Sequence, residues 1–142
     1  MCGIFGFNFE DKKLAKSMAK ILNHRGPDHY EIYFEKNLTL GYTRLSIIDL
    51  KKGSQPIFNE NRTLVLFFNG EIYNFKELRI ELENKGHVFY TDTDTEVVVH
   101  SYEEYGENCL NYFNGMFAFV IYDTKKKELF IARDRLGIKP LY

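Results

Sequence analysis

A chain of 142 residues has the length of one ordinary domain, which predicts a single folded unit with no second one beside it. Its 19 Lys and Arg against 20 Asp and Glu give a net charge of -1, so the charge balance excludes a polyanion-binding surface as the leading reading, whether for nucleic acid or for an anionic membrane. Hydrophobic residues at 44% and aromatics at 16% exclude a disordered chain and predict a packed core. The longest unbroken apolar run, Met116 to Tyr122, is far below the about 18 residues that span a bilayer, so no membrane span is expected. The start, Met1-Cys2-Gly3-Ile4-Phe5-Gly6, lacks the basic and apolar regions of a signal peptide, which makes a reducing, cytoplasmic setting the expectation, with Cys2 and Cys109 as free thiols.

Gly3 to Phe9 reads as a mostly buried strand around Ile4, Phe5 and Phe7. From Asp11 to Asn23, Leu14, Met18, Ile21 and Leu22 recur at helical spacing and predict a core-facing stripe under a solvated lysine face. His24-Arg25-Gly26-Pro27-Asp28 ends that helix, because Gly and Pro together break it and permit a tight turn. Tyr30 to Glu35 and Leu38 to Arg44 are strands joined through Lys36-Asn37, Leu45 to Leu50 continues in an apolar extended style, and Gly53 to Pro56 is a loop. Thr63 to Phe68 is a strongly apolar strand running into Asn69-Gly70-Glu71, read as a turn that sets polar groups at a strand end. Phe75 to Lys85 is a helix with Leu78 and Leu82 inward and Gly86 at its end, and Thr91 to Asp94 offers capping groups for a further helix from Thr95 to Tyr105 with Val98, Tyr102 and Tyr105 on one side. Met116 to Asp123 and Glu128 to Asp134 form an antiparallel hairpin across a lysine-rich turn. The order of elements predicts one α+β domain with antiparallel sheets and helices packed on them.

The chemistry of the chain centres on Cys2. Removal of Met1, permitted by the small side chain that follows, places a thiol and a free α-amine on the same residue. An α-amine has a reference pKa of about 7.7 to 8.0 and serves as a base near neutral pH, so nucleophile and base travel together. Taken alone, Cys2 reads first as a small buried residue of the first strand. A cysteine acyl transferase also needs donors aimed at a developing oxyanion, and Asn69-Gly70 offers a side-chain amide and a backbone N–H, although such a pair is by itself a common turn. Arg44 and Asp94, in isolation, are an ordinary strand-end arginine and a helix cap. Cys2 and Cys109 have no zinc-site spacing, and His24, His29, His87 and His100 are scattered along the chain, which leaves metal binding unsupported.

Several blocks in order change these weights: Met1 to Gly6, His24 to Asp28, Arg44-Leu45-Ser46-Ile47-Ile48-Asp49, Gln55-Pro56, Asn69-Gly70-Glu71-Ile72-Tyr73-Asn74, Asp94-Thr95-Glu96, Asn114 to Phe119 and Arg133 to Gly137. With these the chain resembles, nearly end to end, the class II glutamine amidotransferases, and specifically the N-terminal glutaminase domain of glutamine-hydrolysing asparagine synthetases. The resemblance implies an N-terminal-nucleophile hydrolase fold, a four-layer αββα sandwich with two antiparallel sheets, and hydrolysis of the side-chain amide of free L-glutamine. It implies that Cys2 attacks the amide carbon, that Asn69 and the Gly70 N–H hold the oxyanion, that Arg44 clamps the α-carboxylate, and that Asp94 accepts from the α-ammonium. Leu45, Ser46, Ile47, Ile48 and Glu71 shape the rest of that pocket, and Arg25 orders the nucleophile. Tyr42 stands where relatives often carry His, a change expected to act on packing. Cys109 matches no motif and reads as an apolar filler.

The resemblance also implies an ATP-dependent synthetase domain as partner. The phosphate-binding motifs of such a domain, GxxxxGK[ST] and a Ser-Gly-Gly turn, do not occur in this sequence. No cofactor is therefore expected in residues 1–142, with ATP and Mg2+ assigned to the synthetase. Relatives continue for several tens of residues past the Leu136 to Pro140 segment, so a domain incomplete at its C-terminal end is expected. Two functions stay open: an ammonia-supplying glutaminase, and a catalytically inactive fragment or interaction domain.

Overall fold

The computed structural model describes residues 2–45 and 54–142. Among the described residues seven strands and three α-helices follow one another as β1 (Gly3–Phe7), α1 (Lys12–Ile21), β2 (His29–Glu35), β3 (Leu38–Arg44), β4 (Ile57–Phe58), β5 (Leu64–Ile72), α2 (Phe75–Asn84), α3 (Glu96–Tyr105), β6 (Gly115–Asp123) and β7 (Glu128–Arg133). A three-stranded sheet has the order β1-β3-β2 and a four-stranded sheet the order β4-β5-β6-β7, with every pairing antiparallel.

The period-two alternation of the central strands builds the layers. In β3, Leu38, Leu40 and Tyr42 face the other sheet, where they meet Val65 and Phe67 of β5 and Val120 and Tyr122 of β6. The intervening residues of β5, Leu64, Leu66 and Phe68, turn to the opposite face and pack with Leu78 and Leu82 of α2 and with Val97, Val98 and Val99 of α3. Helix α1 packs against β3 on the outside of the three-stranded sheet. The result is the αββα stack expected from the resemblance. Among the described residues no helix is long and apolar enough to cross a membrane.

Several elements differ from the sequence reading. Helix α1 buries Ala15 and Ala19, while Leu14 and Ile21, expected inward, are 37% and 66% exposed. The Asp11 carboxylate accepts from the Lys13 and Leu14 N–H groups, and the inward face carries 15, 18, 19 and 22, with alanines at the close approach to the sheet. Strand β1 is half-buried, with Gly6 exposed, because it is an edge strand. The Asn69-Gly70-Glu71 turn is not a turn: β5 runs on through Ile72, pairing Asn69 with Ala118, Gly70 with Phe117 and Glu71 with Met116. Gly70 is selected by proximity to β6, since a Cβ there would lie 2.2 Å from the Met116 carbonyl oxygen and 2.7 Å from Phe117 Cα. The Thr91–Asp94 segment does not cap α3: its preceding residue, Thr95, makes no side-chain cap hydrogen bond, and Asp94 is turned elsewhere. Leu45 to Leu50, read as extended, lies mostly outside the described residues. The β2–β3 and β6–β7 hairpins and helix α2, with Gly86 at φ +103 just beyond its end, follow the expectation.

The contact at Gly70 yields a direct test. Gly70→Ala is expected to lower stability by about 1–3 kcal/mol through overpacking against β6. Thermal unfolding reads this as a fall in Tm, and an unchanged Tm would show that the β5–β6 approach widens freely.

Candidate active site

Among the described residues strand β4 pairs only with Val65 and Leu66, and no other strand flanks the remainder of β5 on that side. Antiparallel backbone groups alternate sides, and Phe68, Gly70 and Ile72 share the parity that points N–H toward this open flank. Side chains take up the outer two positions. The Gln55 amide binds Phe68 as a strand would, accepting from its N–H at 2.6 Å and donating to its carbonyl at 2.8 Å. Asp94 Oδ2 accepts from the Ile72 N–H at 2.9 Å. Between them the Gly70 N–H is directed into a pocket of about 200 Å³ lined also by Cys2, Arg44, Leu45, Asn69, Glu71 and Asp94.

The other sheet supplies Cys2 and Arg44. Cys2 immediately precedes β1, is half-buried, and its thiol lies 3.8 Å from the Leu45 carbonyl oxygen. Arg44 ends β3, is 7% exposed, and donates from Nη1 to Ser54 Oγ at 3.4 Å. The His24–Asp28 loop crosses the end of β3: Pro27 forms a parallel bridge with Arg44, and the Asp28 N–H donates to the Arg44 carbonyl at 3.1 Å. Only glycine fits at position 26, where a Cβ would lie 2.4 Å from the Thr43 carbonyl carbon. The same loop brings Arg25 Nε to 3.3 Å from the Cys2 carbonyl oxygen. Arg25 therefore touches the backbone of Cys2 without lining the pocket, and its Nη2 is buried without a hydrogen-bond partner.

Of the residues singled out from sequence, Cys2, Arg44, Leu45, Asn69, Gly70, Glu71 and Asp94 meet in this pocket. Ser46, Ile47 and Ile48 lie outside the described residues. Gln55, Thr93, Thr95, Met116 and Lys139 line it as well and were not anticipated as site residues. Lys139 arrives because Asp134 accepts from the N–H groups of Phe117, Ile138 and Lys139, pinning the segment after β7 beside β6. Tyr42 acts beyond packing, since its hydroxyl accepts from the Gln55 N–H at 3.0 Å and so helps seat the Gln55 amide. Cys109 is fully buried in the helix-side core, and burial pushes its thiol up to about 12, as suits an inert filler. The scatter of the histidines does not hold in space: the His87 and His100 rings lie 5.1 Å apart, tilted by 43°, away from this pocket.

The pocket combines cationic Arg44 and Lys139 with acidic Asp94 and Glu71, a pattern complementary to a zwitterion, beside a thiol and an inward backbone N–H. A model of the glutamine amidotransferase domain matches residues 1–142. The chain belongs to the glutamine amidotransferase domain family. It is 45% identical over 150 residues to asparagine synthetase [glutamine-hydrolyzing] 1 of Bacillus subtilis (strain 168), covering all of this chain and 24% of that protein. It is 44% identical over 148 residues to asparagine synthetase B [glutamine-hydrolyzing] of Escherichia coli (strain K12), covering all of this chain and 26% of that one. The amidotransferase chain thus spans about a quarter of the length of these relatives. In three dimensions it matches the glutamine phosphoribosylpyrophosphate amidotransferase of B. subtilis, complexed there with ADP and GMP, with a TM-score of 0.79 and 23% identity over 99% of this chain and 38% of that chain. This likeness establishes the N-terminal-nucleophile hydrolase fold.

The acid in the pocket has a measurable signature. Burial pushes the Asp94 carboxyl above the usual carboxylate range against the pull of the Ile72 N–H, and Glu71 adds to the rise. The folded amidotransferase domain therefore binds this proton more tightly than the unfolded chain. Its stabilising contribution is complete below the unfolded pKa and is lost as pH rises through the folded one, leaving a charged Asp94 as a cost at neutral pH. Asp94→Asn is expected to hold or raise Tm at pH 7 and to gain nothing at a pH below the usual carboxylate range. Melting curves at the two pH values check this, and a lower Tm at pH 7 would contradict it.

Proposed function

We propose that this pocket hydrolyses the side-chain amide of free L-glutamine to glutamate and ammonia. The observation that carries the reading is the convergence of Cys2, Arg44, Asn69, Asp94 and the inward Gly70 N–H on one pocket. Loss of Met1 frees the Cys2 amine, which takes the thiol proton as the sulfur attacks the amide carbon. The resulting oxyanion is held by the Asn69 side-chain amide and the Gly70 N–H. The ammonium then gives its proton to the departing nitrogen, releasing ammonia and leaving a glutamyl thioester. Water attacks the thioester, the amine accepts the water proton, and glutamate leaves with the thiol restored.

Recognition follows from the two ends of the substrate. Arg44, which closes β3 under the His24–Asp28 loop, offers a planar two-donor fork to the α-carboxylate. Asp94 accepts from the α-ammonium, which relieves the cost of its buried charge. A glutamine within a peptide lacks one or both of these groups and is rejected. Arg25 positions Cys2 through its main-chain carbonyl. The ammonia is passed to an ATP-dependent synthetase domain that makes asparagine from aspartate, as the names of the relatives suggest. ATP and Mg2+ belong to that domain, and the chemistry here uses only the groups of this chain and water. The setting proposed is the reducing cytoplasm.

Ammonia release from glutamine tests the proposal on protein whose intact mass shows Met1 removed. Cys2→Ala is expected to abolish release, and equal rates for wild type and variant would sink the reading in favour of an inactive interaction domain. Asn69→Ala is expected to lower kcat by about 10²- to 10³-fold with a smaller change in KM, as for loss of one oxyanion donor.

A further inference from the structure

We propose that Glu60, His87, His100 and Glu103 form a site for one divalent cation of the zinc class, built into the helix side of the domain and separate from the glutamine pocket. The four residues come from three segments: Glu60 from the turn between β4 and β5, His87 from just beyond α2, and His100 and Glu103 from one face of α3. One ligand atom from each lies within 4.8 Å of all the others. None of the four lines the glutamine pocket.

The spacing suits a metal. A tetrahedral site with bonds of about 2.0–2.1 Å sets its ligand atoms about 3.3–3.4 Å apart. Here Glu60 Oε1 is 3.1 Å from His87 Nδ1 and 3.5 Å from His100 Nδ1, and His87 Nδ1 is 3.9 Å from Glu103 Oε2. These three separations lie within about half an ångström of that spacing, and the widest among the four, up to 4.8 Å, must close by about 1.4 Å through side-chain movement to complete the shell.

His100 supplies the independent sign. The residue is fully buried, and its Nδ1, aimed at Glu60, has no hydrogen-bond partner. A buried ring nitrogen left in this way is costly unless something occupies it. Its other nitrogen, Nε2, faces the buried Glu96 carboxylate at 3.4 Å, an arrangement that places the proton on Nε2 and leaves the Nδ1 lone pair for a ligand. His87 differs in that its Nδ1 is already hydrogen-bonded to Glu60 at 3.1 Å, but it too has an outer carboxylate, with Nε2 3.6 Å from Glu104, which is itself held by Lys85 at 2.9 Å. Carboxylates behind both imidazoles are the usual outer support of a histidine metal site.

A proton is a poorer occupant than a cation. Both Nδ1 atoms approach the same Glu60 oxygen, which already accepts from the Val88 N–H at 2.9 Å. Protonating either imidazole on Nδ1 serves that ring alone, whereas one cation satisfies both nitrogens and the Glu60 and Glu103 oxygens together. Two nitrogens and two carboxylates favour zinc over magnesium or calcium, which take oxygen ligands. Glu60 and Glu103 are partly exposed and give an entry path.

Zinc titration by calorimetry into the chelator-stripped full chain tests the site, with Co2+ as a spectroscopic stand-in. Expected are one Zn2+ per chain, a rise in Tm reversed by chelator, and the visible absorption of tetrahedral Co2+. His87→Gln and Glu103→Gln, at positions that are not fully buried, are each expected to fold and to weaken zinc binding by more than about 100-fold, beyond the 10- to 100-fold loss typical of an outer partner. Cys2→Ala is expected to keep the wild-type zinc affinity, separating this site from the thiol. Absence of binding, or wild-type affinity in folded His87→Gln, would overturn the proposal.

Discussion

The domain is organised around a strand that is longer than its neighbour. Among the described residues β4 covers only Val65 and Leu66, and the rest of β5 presents backbone donors and acceptors that side chains satisfy instead. Gln55 satisfies Phe68 and Asp94 satisfies Ile72, and each is fixed by a separate piece of structure: the Tyr42 hydroxyl for Gln55, the approach to α3 for Asp94. What is left between them is the backbone of Gly70, whose N–H and carbonyl share the flank that lines the pocket. A donor held in that way by a continuous sheet is preorganised, since β6 fixes it from the other side through a contact that tolerates no Cβ.

The second sheet meets this flank with groups of different origin. Cys2 arrives at the head of an edge strand, and Arg44 at the tail of a central one, yet a single loop governs both. His24 to Asp28 lies over the end of β3, bridges to Arg44, and extends Arg25 to the carbonyl of Cys2. Gly26 permits that overlap and so couples Cys2 and Arg44 through the backbone. The helix side has its own network. Glu96 accepts from the Tyr90 and Thr91 N–H groups and faces His100, so the segment leading to Asp94 and the His87–His100 cluster share one buried carboxylate.

Much of this was legible in the sequence where local pattern and tertiary context agree. The alternation in Leu38 to Tyr42 and Leu64 to Phe68 gives both cores, and the ordered motif blocks name most of the pocket. Where they disagree, the sequence misleads for identifiable reasons. Asn-Gly has strong turn chemistry, but at 69 and 70 the pairing with Ala118 and Phe117 dominates, and the glycine serves close approach. Ala15 and Ala19 carry little hydrophobic weight, so the larger Leu14 and Ile21 suggest a helix face rotated from the real one. Gln55 and Lys139 have no periodic signal, because one imitates a strand and the other is carried in by Asp134. His87 and His100 are thirteen positions apart, and only the packing of α3 beside the end of α2 brings them together.

The side chains on the open flank of β5 also answer a colloidal problem. A sheet edge with free N–H and C=O groups is a template for strand addition from another molecule, and proteins blunt such edges with charge or with local cover. Gln55 occupies both backbone groups of Phe68, and Asp94 adds a buried acid two pairs along. The groups that frame the pocket thus also cover backbone that would otherwise be an open sheet edge. Loss of either one would uncover backbone groups for intermolecular β-pairing as well as loosen the pocket, so resistance to self-association and the shape of the pocket rest on the same few atoms.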